Sequence, residues 1–100
     1  AEAAFQLGLA DEAKDRVNEL RVRAGLEELT SVTLPIILNE RRWEMAMEHD
    51  RWFDLVRTGN ALSAMALNGK TFVVGKHELF PIPSDQIIAS GGRLSQNPGY

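Results

Sequence analysis

The stretch ILNERRWEMAMEHDRWFDLVRTG, residues 37–59, constrains the fold more than any other part of the chain. Laid out together with the preceding Leu34-Pro35-Ile36 as one continuous helix at about 100° per residue, it gathers Leu34, Ile37, Leu38, Met45, Trp52, Leu55 and Val56 on one side. Ile36, Trp43 and Met47 fall on the opposite side, and Glu40, Glu44 and Arg51 occupy the strip between. A helix that is apolar on two faces is buried among several partners. The remaining segments of this 100-residue chain are too short to cover both. Either the chain is part of something larger, or the second face binds a partner.

The flanking segments also read as helices. Ala1–Leu7 resembles the last turns of one, with Gly8 as its C-terminal cap. Asp11 is a capping residue for a second helix reaching about Ala24, stopped by Gly25. Ala13, Val17, Leu20 and Ala24 form its apolar stripe. Ser31 and Thr33 are cap candidates for the third helix, and Pro35 suits its first turn. That helix is expected to reach Arg57, before Gly59, with a break near Asp50. Ala61–Leu67 supplies one or two further turns, ended by Asn68-Gly69. TFVVGKHELF then reads as a short hairpin around Gly75-Lys76. From Pro81 the chain runs extended, apart from a turn of helix capped by Ser84 and released by Gly91-Gly92. LFPIP and QNPGY together suggest a tail anchored through Leu79, Phe80, Ile82 and Tyr100. The fold class expected is all-α, with helical pairs, a short hairpin and an extended proline-containing C-terminal tail. The helix-like opening without an initiating methionine predicts a C-terminal portion of a longer chain.

Charges admit three readings. Glu48 with Arg51, Glu44 with Arg51, and Arg51 with Asp54 all have helical spacing for an internal ion-pair network. Glu44, Glu48 and Asp54 alternatively form an acid–base set, although no nucleophile, oxyanion site or metal accompanies them. A third reading is an acidic patch for a partner. Gly69-Lys70-Thr71 lacks the upstream glycine of a phosphate-binding loop, where Ala64 stands instead. His77-Glu78 begins a zinc motif whose second histidine is replaced by Pro81. His49 beside Glu48 and Asp50 reads as a surface residue rather than a ligand. Trp43 and Trp52 read as core aromatics, or as stacking surfaces for sugar rings. The formal charge of −3 and the carboxylates around Arg41, Arg42 and Arg51 argue against nucleic acid. Zero cysteines exclude disulfides and thiolate metal sites. No apolar run approaches the roughly 18–20 residues that span a bilayer.

Four pieces in order, NELRVRAGL, ILNERRWEMAMEHDRWFDLVRTG, KHELFPIPSDQI and LSQNPGY, resemble the C-terminal end of the SusD/RagB family. These are surface lipoproteins of Bacteroidetes that capture nutrients, mostly glycans, for an outer-membrane transporter. The resemblance implies a fold of tetratricopeptide-like helix pairs, with residues 1–100 as the C-terminal part of a single domain. It implies a SusC-like TonB-dependent transporter as partner, a glycan or other nutrient as ligand, and membrane association through an upstream lipid anchor. It implies binding without catalysis: no catalytic residue, no metal and no cofactor. A helical-repeat scaffold that binds only protein is the alternative. Ligand contacts in the family come mostly from the larger N-terminal part, so none is assigned here. Glu40, Arg41, Glu44, Glu48, Arg51, Asp54 and Arg57 carry over as structural residues. Many members have glycine after the glutamate matching Glu48. His49 stands there in this chain, so a milder helix break is expected.

Overall fold

The computed structural model describes all residues from Ala1 to Tyr100. It contains six helices: α1 Glu2–Gln6, α2 Ala10–Arg23, α3 Leu34–Glu44, α4 Arg51–Arg57, α5 Ala61–Leu67 and α6 Ser84–Ala89. No β-strand is present. The chain divides into two units, 1–51 and 52–100.

In the first unit, α1 packs against both α2 and α3. Ala4, Ala13, Val17, Val32 and Ile37 form its core, with Phe5, Leu29 and Ile36 packed around them. Small side chains at Ala4 and Ala13 let so short a helix as α1 approach its neighbours closely. The stripe on α2 is buried at Ala13 and Val17, half-buried at Leu20 and exposed at Ala24.

Four glycines stop helices by one device. After α2, Leu26 N–H reaches Arg21 O at 2.8 Å and Gly25 N–H reaches Val22 O at 3.0 Å, with Gly25 at φ 73°. This left-handed cap satisfies two otherwise orphaned carbonyls, and glycine adopts it without a Cβ penalty. The same pair of bonds recurs at Gly8, Gly59 and Gly69. Two of the three expected helix starts are displaced, those at Asp11 and Ser84. Asp11 lies inside α2, whose N-cap is Leu9. Thr33 is the N-cap of α3 and makes no side-chain cap bond. Ser84 is the first residue of α6, following Pro83.

The long helix is broken more severely than expected. α3 ends at Glu44 and α4 begins only at Arg51. Met47 at φ 72° and His49 at φ 64° both take the left-handed conformation, which disfavours non-glycine residues. The missing glycine at His49 therefore does not soften the break; the backbone keeps the glycine-like conformation and a histidine adopts it. The helical phase is lost between Met45 and Asp50, so the two-faced pattern does not describe one helix. Trp43 is 61% exposed on α3, contrary to the core reading. Trp52 is half-buried, its ring 6.0 Å from that of Phe72.

In the second unit, the expected hairpin is a run of turns. Lys76 N–H and His77 N–H both reach Val73 O, and Leu79 N–H reaches Lys76 O. The terminal residues are fastened by polar side chains. Gln96 accepts from Ile82 N–H at 2.7 Å and donates to Ile82 O at 2.8 Å. Asn97 Nδ2 donates to Phe80 O, and Tyr100 OH donates to Leu79 O at 3.0 Å. Of the four expected apolar anchors, only Ile82 is half-buried; Leu79, Phe80 and Tyr100 are largely exposed.

Replacing His49 with glycine relieves one left-handed side chain. His49→Gly is expected to stabilise the protein by about 1 kcal/mol, read as a higher urea midpoint at unchanged slope. Gln96→Ala removes both bonds to Ile82 and is expected to cost about 1–2 kcal/mol, with faster amide exchange at Ile82 as its signature.

Candidate functional site

The charged residues singled out by sequence are distributed over α3, the break and α4, and their partners come largely from α2. The last turn of α2 carries Arg21 and Arg23, where cations favour the carbonyl end of a helix. Arg21 Nη1 donates to Glu40 Oε1, and Arg23 Nη2 donates to Glu44 Oε1. One turn separates the two acids on α3, so the pairs form two rungs between α2 and α3. The first rung is enclosed: the side chains are 17% and 9% exposed. The second is open, at 63% and 41%. Arg21 also donates from Nε to Glu27 O at 2.8 Å. Buried Asn18 brackets Leu29, accepting its N–H at 2.8 Å and donating to its carbonyl at 3.0 Å. These bonds hold the link between α2 and α3 against α2.

Arg41 Nη2 donates to Asp50 Oδ2 at 3.3 Å, joining α3 to the end of the break. Asp54 is buried, 4% exposed, and receives Arg57 Nε and Nη2 on Oδ1 at 2.9 and 2.8 Å. Thr58 Oγ1 donates to Asp54 O at 2.6 Å, closing the end of α4. Glu48 is exposed and Arg51 half-buried. The ion pairs expected between Arg51 and Glu44 or Glu48 are not formed, because the break removes their common helical frame, and on α4 Asp54 is instead held by Arg57. Glu44 and Asp54 are each engaged by a different arginine.

Sequence reasoning missed Arg21, Arg23 and Asn18 as partners. The two arginines were visible only as helix-end cations. Asn18 stands immediately after buried Val17 on α2, a placement whose buried polarity required a partner. A shallow groove of about 610 Å³ lies beside Asn18, lined among others by Lys14, Asp15, Glu19, Glu28 and Thr30. Asp11, bonded to Lys14 at 3.1 Å, raises the Lys14 pKa, with Asp15 and Glu28 adding to the effect. The Lys14 ammonium is therefore charged at neutral pH. No group of three or more His, Asp or Glu side chains is placed to hold a metal ion.

The SusD family pattern matches residues 1–100. The chain belongs to the SusD family. SusD-like protein P38 of Formosa agariphila is 40% identical over 85 residues, which cover 71% of this chain and 17% of that protein. Among solved structures, a laminarin binding SusD-like protein superposes with a TM-score of 0.69 at 41% identity, over 81% of this chain and 16% of the other. Surface glycan-binding protein A from Bacteroides thetaiotaomicron gives a TM-score of 0.71 at 36% identity, over 85% and 19% respectively. This SusD-family chain thus spans less than a fifth of each of these relatives. No helix in it is long and apolar enough to cross a membrane.

The two rungs differ in enclosure and so in consequence. Glu40→Gln, which leaves Arg21 without its charged partner, is expected to lower stability by about 2–3 kcal/mol. Glu44→Gln on the open rung is expected to cost less than about 1 kcal/mol. Urea denaturation of both variants beside the parent checks the ranking.

Proposed function

We propose that this chain is the C-terminal portion of a single larger domain that binds nutrient oligosaccharide for a TonB-dependent outer-membrane uptake system. The observation that carries this reading is the family match over residues 1–100, together with two solved relatives whose names describe glycan or laminarin binding. The whole protein would act at the cell surface, held to the outer membrane by an upstream lipid anchor. Its partner would be a SusC-like transporter. Its role would be binding without catalysis.

In this reading the helices of residues 1–51 belong to a tetratricopeptide-like array, supported by the packing of α1 on both α2 and α3. The exposed Leu79, Phe80 and Tyr100 would meet parts of the longer protein outside these 100 residues. Glu40, Arg41, Glu44, Glu48, Arg51, Asp54 and Arg57 serve the framework. The pairings of Glu40, Glu44, Arg41, Asp54 and Arg57 support that role. Ligand contacts are placed outside these 100 residues.

Calorimetric titration of the full-length protein against a panel of oligosaccharides, laminarin included, tests the function. Saturable binding to at least one glycan is expected. Failure with every glycan, with the protein folded, would remove the oligosaccharide reading. Purification without a co-purifying outer-membrane barrel would favour the scaffold alternative.

A further inference from the structure

We propose that His77 is a pH-sensitive latch on the turn formed by residues 73–77. Val73 N–H donates to His77 Nδ1 at 2.9 Å, while His77 N–H donates back to Val73 O at 3.0 Å. An imidazole nitrogen accepts only when unprotonated, so the ring proton resides on Nε2. Phe72 meets the His77 ring edge-on at 5.7 Å and in turn lies 6.0 Å from Trp52 of α4. The ring is thus held in place by aromatic contacts while its Nδ1 closes the turn.

Protonation at Nδ1 puts a second N–H where the Val73 amide points. The bond is then lost and two donors face each other. Histidine is the side chain whose charge changes between pH 5 and 8. Only the neutral ring can accept from Val73 N–H, so the bond is present while the ring is neutral and lost on protonation. The surrounding charges are few. Lys76 and Glu78 flank His77 in the chain, and Glu78 Oε2 is enclosed without a partner. The Lys76 ammonium lies over the Tyr100 ring at 4.7 Å. On α4, Asp54 and Arg57 pair with each other, and Trp52 presents an uncharged ring.

Opening this turn acts on one end of the terminal strap. Tyr100 rests on Lys76 and donates to Leu79 O, both within or next to the turn. The bonds between Gln96 and Ile82 do not involve His77. Loosening on protonation is therefore confined to the turn and the adjoining Tyr100 contacts, while the Gln96 end remains fastened.

Hydrogen exchange of the full-length protein, followed by mass spectrometry at pH 7.5 and 5.5 and corrected for intrinsic rates, tests this. Peptides covering residues 72–79 are expected to lose about tenfold in protection at the lower pH, while those around Ile82 keep theirs. His77→Asn, whose carboxamide oxygen replaces Nδ1 as a non-titrating acceptor, is expected to abolish the pH dependence. Unchanged protection in the parent overturns the proposal. So does a persistent pH response in His77→Asn, which would assign the effect to Glu78. If that variant fails to fold, nitrogen NMR of the parent imidazole decides: a neutral ring protonated on Nε2 is expected, and a proton on Nδ1 refutes the latch.

Discussion

Glu40 is a carboxylate with 8% of its surface exposed, and the first unit is arranged around the need to give it a partner. An isolated buried charge costs several kcal/mol, so a cation has to be delivered to it. Arg21 meets that need only if the end of α2 lies against the middle of α3. The same guanidinium holds Glu27 O, and Asn18, one turn earlier on α2, holds Leu29. One corner of the structure therefore has its helix ends and its linker fixed by polar contacts. The small apolar core of Ala4, Ala13, Val17, Val32 and Ile37 supplies burial, while the arginine and asparagine fix the register. Hydrophobic contact alone is non-directional and would not select this one arrangement.

What could be read from the residues depended on the range of the interaction. Helix stops at Gly8, Gly25, Gly59 and Gly69 are local: a glycine after an apolar stripe is enough, and all four close helices by the same hydrogen bonds. The all-α class was legible for the same reason, as were the helix ends that these glycines close. The acidic residues of α3 and α4 were recognised as framework candidates, yet their partners were sought along the same helix. The partners of Glu40 and Glu44 come from about twenty residues earlier instead, and periodicity carries no information about that pairing. The wheel failed for another reason. It assumed continuity, and two left-handed residues, Met47 and His49, interrupt it. Neither is glycine, the residue that ordinarily marks such a conformation.

The second unit shows the opposite balance between polar and apolar contacts. Its buried side chains are Asp54, Leu55 and Ala61, while Phe53, Leu62, Leu67, Val74, Phe80 and Ile88 are at least half exposed. Side-chain bonds to backbone define its shape locally without removing that apolar surface from water. So large an apolar exposure is unusual for a self-sufficient domain. It fits the proposal that these residues form part of a longer one, since the matched region is less than a fifth of each solved relative.

The prolines explain why the terminal strap uses side chains where a strand would use backbone. Pro81 and Pro83 flank Ile82, and neither has an N–H to donate. A partner strand would find one donor in three consecutive residues, which is too few for a ladder. Ile82 offers one N–H and one carbonyl, and the Gln96 carboxamide provides one acceptor and one donor at matching positions. Asn97 and Tyr100 repeat the logic at the carbonyls of Phe80 and Leu79. The spacing of prolines in LFPIP and the polar residues of QNPGY are therefore two halves of one device. Prolines leave isolated backbone groups, and single side chains satisfy them. Neither half identifies the other by pattern, since their pairing is a matter of donor and acceptor count across the fold.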